Sequence, residues 1–194
     1  MKVAILKYNA GNTASVSNAL ERLGVTPVIS DDAEALRSAD KVIIPGVGEA
    51  STAMAHLRDR GLDAVIRSFS RPVLGVCLGM QLMCAASEEN DTECLGIFPY
   101  RVRRFTANGI KVPHMGWNTI SDLRSSLFDG VARNPYLYFV HGYYVEAGEL
   151  TTATCVYDGS FGAAISLRNF HGVQFHPEKS GAVGQTILEN FLNL

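Results

Sequence analysis

A chain of 194 residues is long enough for one domain that buries roughly 70% of its unfolded surface and short for two. With 47% apolar residues, 19% charged residues and a formal net charge of -2, its bulk composition excludes a disordered chain and carries no footprint of nucleic-acid binding. No apolar run approaches the roughly 20 residues of a membrane span, and Met1 leads straight into "KVAILK", so a soluble cytoplasmic protein with small-molecule or protein partners is expected.

In chain order, "VAILK" (Val3 to Lys7), "TPVIS" (Thr26 to Ser30), "KVIIP" (Lys41 to Pro45) and "RPVLGV" (Arg71 to Val76) are of strand length and rich in β-branched residues. Between them "TASVSNALERL" puts Val16, Leu20 and Leu23 on one helical face with Thr13 as N-cap, and "DDAEALRSA" opens with the acids that suit a helix N-terminus. Leu78, Leu82, Met83 and Ala86 have helical spacing, which predicts a helix over Leu78 to Ser87. Strands alternating with helices in this way predict parallel βαβ units covered on both faces, with sites at the carboxyl ends of the strands. From Tyr100 onward the segments "YRVRRF", "IKVPHMGWN", "YLYFVHGYYV", "TTATCVY", "FGAAISL" and "FHGVQFHP" read mostly as strands. They are split by turn residues such as Asn108-Gly109 and Asp158-Gly159, which predicts an antiparallel addition to the sheet. Gly181 to Asn193 closes the chain as a helix, with Val183, Ile187, Leu188, Phe191 and Leu192 at core-facing spacing.

Of the four cysteines, Cys84, Cys94 and Cys155 read as small buried hydrophobes. No C-x-x-C pair or regular Cys/His spacing supports a metal site or a disulfide framework, and no cofactor is expected. Cys77 is different. It falls at the corner between the strand Val73 to Val76 and the following helix, within "GVCLG", which is the setting of a nucleophile elbow. There the flanking glycines let the chain turn tightly, and the positive end of the helix favours the thiolate. A packed cysteine in a tight corner is the alternative.

Five histidines are available to move a proton, and His176 in "VQFHPEKS" stands at the end of a strand, at the same carboxyl edge as the elbow. Pro177 stops that strand, so that Glu178 can turn back to orient the imidazole and complete a triad. "IIPGVGEAS" follows the strand Lys41 to Ile44, and Gly46 and Gly48 permit unusual peptide orientations on either side of Val47. The N–H of Val47 and that of Leu78 would then form an oxyanion hole, and a reorientation of the Val47 peptide is expected to complete it. The stretch lacks the lysine and the spacing of a phosphate loop.

Taken together, "GVCLGMQ", "FHPE" and "PGVG" resemble the triad-type glutamine amidotransferases over the whole chain. "HMGWN" (His114 to Asn118), "YFVHGYYV" (Tyr138 to Val145) and "FHPEKS" are similar to the glutaminase subunits of imidazole glycerol phosphate synthases, from histidine biosynthesis. The resemblance implies a single class I amidotransferase domain over residues 1–194. Its fold would be α/β and flavodoxin-like, with a central, mostly parallel sheet, helices on both faces and an antiparallel extension in the second half. It implies glutamine hydrolysis through a Cys77 thioester, with His176 and Glu178 as partners and with Gln81, Glu89, His141 and Tyr143 binding glutamine. It further implies a heterodimer with a separate synthase built as a β/α barrel that consumes the ammonia, with Asn12, Trp117, Tyr138 and Lys179 at the contact. Some positions depart from what is usual in that family: Lys7 stands where an aspartate is common, Glu49 and Ala50 where alanine and an aromatic are, and Gly142 where serine or threonine is. The competing expectations are the glutaminase subunit of another synthase, of the pyridoxal phosphate or aminobenzoate type, and a metabolite-binding regulator without activity.

Overall fold

The structure is a computed structural model that describes residues 1–8, 12–106 and 109–194. Its first half runs β1 (Val3–Leu6), α1 (Thr13–Arg22), β2 (Val28–Ser30), α2 (Ala33–Arg37), β3 (Lys41–Ile44), α3 (Ala50–Asp59), α4 (Leu62–Arg67), β4 (Val73–Val76) and α5 (Leu78–Leu82). The second half runs β5 (Cys84–Ser87), β6 (Thr92–Glu93), β7 (Phe98–Arg104), β8 (His114–Ser121), β9 (Tyr136–His141), β10 (Tyr143–Val145), β11 (Thr151–Val156), β12 (Ser160–Leu167), β13 (Phe170–Val173) and α6 (Gly181–Asn193).

A nine-stranded sheet has the order β2, β1, β3, β4, β13, β12, β11, β8, β9. Its first five members are parallel and the rest antiparallel, so the parallel frame and its antiparallel extension are one sheet. Every residue of β1, β3 and β4 is buried, which is why they read as unbroken apolar runs and show no alternation. Val3 and Ile5 of β1 face one core, shared with Val16 and Leu20 of α1 and Ile187 and Phe191 of α6. Ala4 and Leu6 face the other, shared with Leu36 of α2, Met54 and Leu57 of α3, Leu62 and Ile66 of α4 and Met80 of α5. Each wholly buried side chain of this size contributes about 1.5–3 kcal/mol, so the two cores hold the sheet between them.

The structure departs from the sequence expectations in four places. The helix expected over Leu78 to Ser87 ends at Leu82, and Cys84–Ser87 is a strand. Its two alanines favour a helix, but tertiary pairing overrides that preference and its backbone is taken up by β7 (Cys84 with Phe98, Ser87 with Val102) and β6 (Ala86 with Glu93). The antiparallel segments do not all join the main sheet either: β10, β7, β5 and β6 form a second, four-stranded one. Gly142 divides "YLYFVHGYYV" between the two sheets. Thr13 is the first helical residue, and Asn12 takes the N-cap position without a side-chain cap bond. By contrast, Asp32 caps α2 by accepting from the Ala35 N–H at 2.8 Å. Of the two turns named above, Asp158-Gly159 joins β11 to β12, with Gly159 at φ 87°; Asn108-Gly109 extends outside the described residues.

Candidate active site

Four segments meet at the carboxyl edge of the parallel strands: Tyr8 after β1, Pro45–Gly48 after β3, Cys77 after β4 and Gln174–His176 after β13. The last three border a cavity of about 230 Å³ whose walls include Val47, Cys77, Leu78, Glu89, His141 and His176. That is below the ~300 Å³ at which drug-sized sites begin and suits a ligand the size of one amino acid.

Cys77 has φ 52° and ψ −108°, an unfavourable conformation for a residue with a side chain, and it is 7% exposed. The sharp turn is thus made by the cysteine itself. The flanking glycines serve another purpose than the turning expected from the sequence: they permit close packing. A Cβ on Gly79 would lie 2.0 Å from the Ile44 carbonyl oxygen, and one on Gly75 would lie 2.4 Å from the end of Met83. Gly46 reciprocates from the facing loop, where a Cβ would lie 2.0 Å from the Val76 carbonyl oxygen and 2.3 Å from the Leu78 nitrogen. The Pro45–Gly48 loop is therefore pressed against the elbow, and Gly48 continues it at φ 134°. As the first residue of α5, Leu78 has an N–H without an intrahelical acceptor. Both proposed oxyanion donors, Val47 and Leu78, border the cavity beside Cys77.

His176 follows β13 and is fully buried. Its Nδ1 donates to Glu178 Oε1 at 2.8 Å across the turn Pro177–Lys179, which leaves Nε2 without a hydrogen-bond partner among the described residues. Burial alone would lower the His176 pKa, but the Cys77 sulfur and the Glu178 carboxylate outweigh it and raise it to about 10. Both groups favour the protonated imidazole, and Nε2 is the position free to exchange a proton.

The residues expected to bind glutamine divide sharply. Glu89 lies at the cavity, its Oε2 accepts from the Ala50 N–H at 2.7 Å, and Oε1 is left for a ligand. Gln81 is 4% exposed, so it is no helix-surface amide, and its Nε2 donates inward to the Tyr143 carbonyl at 3.0 Å and to Gln174 Oε1 at 2.9 Å. Both ring nitrogens of His141 are engaged: Nδ1 donates to the Tyr143 carbonyl at 2.7 Å and Nε2 meets His114 Nδ1 at 2.9 Å. His141 therefore walls the pocket without offering it a ring N–H, and the Tyr143 carbonyl is already filled by two donors. Both residues nevertheless line the cavity expected to hold glutamine. Burial is the main cause that lowers the pKa of His141 to about 3 and of His114 to about 4, so both rings are neutral.

Trp117, Tyr138 and Lys179 come together above the catalytic turn. The Trp117 and Tyr138 rings are 6.0 Å apart, Lys179 Nζ is 5.9 Å from the Tyr138 ring centre, and Trp117 is 55% exposed. Asn12 starts α1, which packs against the same turn.

Three contributors escaped the sequence analysis. Tyr8 is buried and its hydroxyl donates to the Pro45 carbonyl, anchoring the start of the Val47 loop; burial and the nearby Cys77 raise its pKa. Glu49 accepts from the Ser51 and Thr52 hydroxyls and from Asn90 Nδ2, which ties the loop to the turn that carries Glu89 and holds the Glu49 pKa down to about 2. Gln174 is wholly buried, with Nε2 3.5 Å from Cys77 Sγ. Gln174 lies inside a quoted motif, but only the long-range partners of Tyr8 and Gln174 reveal what they do. Among the described residues no group of three or more His, Cys, Asp or Glu is placed to hold a metal ion.

This geometry agrees with what the chain is similar to. The family pattern described as "Glutamine amidotransferase class-I" matches residues 4–194. The chain belongs to the class-I glutamine amidotransferases. It is 57% identical to "Imidazole glycerol phosphate synthase subunit HisH" of Bacteroides fragilis (strain YCH46), with both chains covered completely. It is 46% identical to the protein of the same name from Shewanella loihica, over 98% of this chain and 89% of that one. A solved structure described as "Crystal structure of glutamine amidotransferase" shares the amidotransferase fold at a TM-score of 0.78 with 20% identity, covering 100% of this chain and 98% of that one. Among amidotransferases, this chain therefore falls with the HisH subunits of imidazole glycerol phosphate synthase.

Proposed function

We propose that this chain hydrolyses glutamine to glutamate and ammonia at Cys77 and hands the ammonia to a separate synthase subunit that forms imidazole glycerol phosphate. One observation carries the chemistry: a cysteine forced to positive φ at the sheet edge shares a cavity with a buried imidazole that Glu178 orients.

The side-chain amide of glutamine enters with its carbonyl carbon against Cys77 Sγ. Cys77 passes its proton to His176 Nε2 and attacks as the thiolate, the carbonyl oxygen takes the negative charge, and the N–H groups of Val47 and Leu78 receive it. His176 Nε2 gives its proton to the departing nitrogen, the C–N bond breaks, and ammonia leaves a γ-glutamyl thioester. Water then attacks the thioester with His176 accepting its proton, and the C–S bond breaks to release glutamate and restore the pair. Glu89 Oε1 receives the α-ammonium group of glutamine, at the side of the cavity where a negative charge is available.

Released into water, ammonia becomes ammonium and is lost as a nucleophile, so the reaction has a purpose only beside a consumer. The exposed Trp117, with Tyr138, Lys179 and Asn12 around the turn that bears His176, is the face proposed to meet that consumer, a β/α-barrel cyclase in a heterodimer. No helix among the described residues is long and apolar enough to cross a membrane, which fits an enzyme that works in the cytoplasm.

The test is Cys77→Ala in the complex with the synthase. Glutamine-driven product formation should fall at least ~10³-fold, while the reaction driven by added ammonium salt continues at the wild-type rate. Retained glutamine-driven activity would remove Cys77 from the mechanism.

A further inference from the structure

Gln174 has no part in the mechanism above, yet its side chain touches the reacting sulfur. Its orientation follows from a single group that can only accept. The Tyr143 carbonyl has no proton to give, so the atom of Gln81 that faces it at 3.0 Å is the amide nitrogen. The same nitrogen faces the Gln174 side chain at 2.9 Å, so the atom met there is the carbonyl oxygen. That leaves the Gln174 amide nitrogen toward Cys77 Sγ at 3.5 Å.

A second line of bonds ends on the same carbonyl and agrees with the first. The Thr119 N–H donates to Asn118 Oδ1 at 2.8 Å, so Asn118 turns Nδ2 toward His114 Nε2 at 3.3 Å. His114 must then carry its proton on Nδ1 and give it to His141 Nε2, and His141 gives the proton on its Nδ1 to the Tyr143 carbonyl. Both lines run donor to acceptor without a conflict, and Tyr143 accepts from both.

On this basis we infer that Gln174 is a catalytic residue whose amide N–H donates to Cys77 Sγ, favouring the thiolate and fixing where the sulfur points. The sulfur lies between opposed groups. The Val140 carbonyl at 3.7 Å accepts from the thiol and favours the protonated form. The Gln174 N–H gains strength once the proton has gone, because a hydrogen bond to a charged acceptor is about twice as strong as one between neutral groups. α5 has only five residues, so the helix end gives the sulfur less help than the helix expected over Leu78 to Ser87 would have, and a side-chain donor supplies it. The titratable groups around the sulfur are His176 from the turn after β13 and Tyr8 from the end of β1, with His141 of β9 beyond His176.

The inference rests on Cys77 as the nucleophile, and its test separates the two. In the complex with the synthase, the rate of Cys77 alkylation by iodoacetamide is followed against pH by mass spectrometry of the Cys77 peptide. The other three cysteines are buried, with thiols pushed up by that burial, and do not compete. Gln174→Glu keeps the size and an oxygen for Gln81 but presents no N–H to the sulfur. The midpoint of its alkylation profile should rise by about one pH unit, the size expected of one hydrogen bond to a charged group. kcat for glutamine should fall ~10-fold or more with KM changed less than ~3-fold. Gln174→Met, without any donor, should shift the profile in the same direction, which keeps the test open if the glutamate variant does not assemble. Ammonia-driven synthesis reports on assembly in each case. A profile superimposable on the wild type in an assembled variant, or a raised KM with kcat unchanged, overturns the role of Gln174. Glutaminase activity surviving in Cys77→Ala overturns the nucleophile instead.

Discussion

The two walls of the cavity are built in different ways. On the side of the elbow, geometry is imposed by backbone against backbone: Gly46 and Gly79 interlock so closely that neither has room for a methyl group, and Cys77 is driven to positive φ between them. On the opposite side, geometry is imposed by side chains, through Asn118, His114, His141, Gln81 and Gln174 converging on the Tyr143 carbonyl. A backbone lock admits one arrangement or none, whereas a chain of side-chain bonds can be weakened a link at a time. Cys77 and the proposed oxyanion donors lie on the first kind of wall, and Gln174, the proposed donor to the sulfur, lies on the second.

The largest effect should come from breaking the lock. Gly46→Ala puts a carbon 2.0 Å from the Val76 carbonyl oxygen, so the loop must move away from the elbow and take Val47 with it. A displacement of about 1 Å at a reacting centre costs ~10²-fold, and glutaminase activity in the complex should fall by at least that much. Ammonia-driven synthesis, measured alongside, should persist if the subunit still docks.

Glu178→Gln should act less severely and show itself in pH dependence. Wild-type glutaminase should lose activity on its alkaline side near pH 10, where His176 gives up its proton. Removal of the carboxylate takes away one of the two groups that raise this value, so the alkaline limb should move down toward the ordinary histidine range. A limb that stays where it was would mean that Glu178 does not hold the charge on His176. The same raised value links His176 to stability: its contribution is fully present below about pH 6.5, where the unfolded imidazole is also protonated, and is lost as pH rises toward 10.

The smallest effect should come from one link of the other wall. His114→Phe preserves the stacking on Phe139 and Tyr157 but leaves His141 Nε2 buried without a donor. A penalty of about 1–3 kcal/mol is expected, read as a fall in melting temperature of about 2–4 °C per kcal/mol, with glutaminase activity within ~10-fold of wild type. Because His114 and His141 are neutral in the folded state, with values of about 4 and 3, their contribution is present above pH 6.5 and is lost as pH falls toward those values. The variant removes one of the two groups, so its melting temperature should decline less steeply between pH 6 and pH 4, a range set by these shifts.

The same contrast explains what could be read from the chain beforehand. The elbow, the Val47 loop and the His176 turn each lie at the end of a short apolar run, and a parallel sheet brings such ends to one edge whatever the details. The meeting of Cys77, His176 and Glu178 at one edge was therefore legible. The other wall depends on contacts such as those from Gln81 to Tyr143 and Gln174, 62 and 93 positions apart, and no local pattern announces them. β5 was hidden for another reason: Cys-Ala-Ala-Ser continues a helical spacing, and only its pairing with β6 and β7 makes it a strand. The inward bonds of Gln81 were hidden because the Tyr143 carbonyl that accepts from its nitrogen lies on β10, a strand of the second sheet.

β9 ends the nine-stranded sheet, so one side of it has no neighbouring strand. At Tyr138 that open side is closed by the catalytic turn: the His176 N–H donates to the Tyr138 carbonyl at 2.9 Å, and the Tyr138 N–H donates to Ser180 Oγ at 3.0 Å. An uncovered edge strand invites other chains to extend the sheet. The segment that carries His176 and Glu178 thus also covers a sheet edge that would otherwise invite self-association.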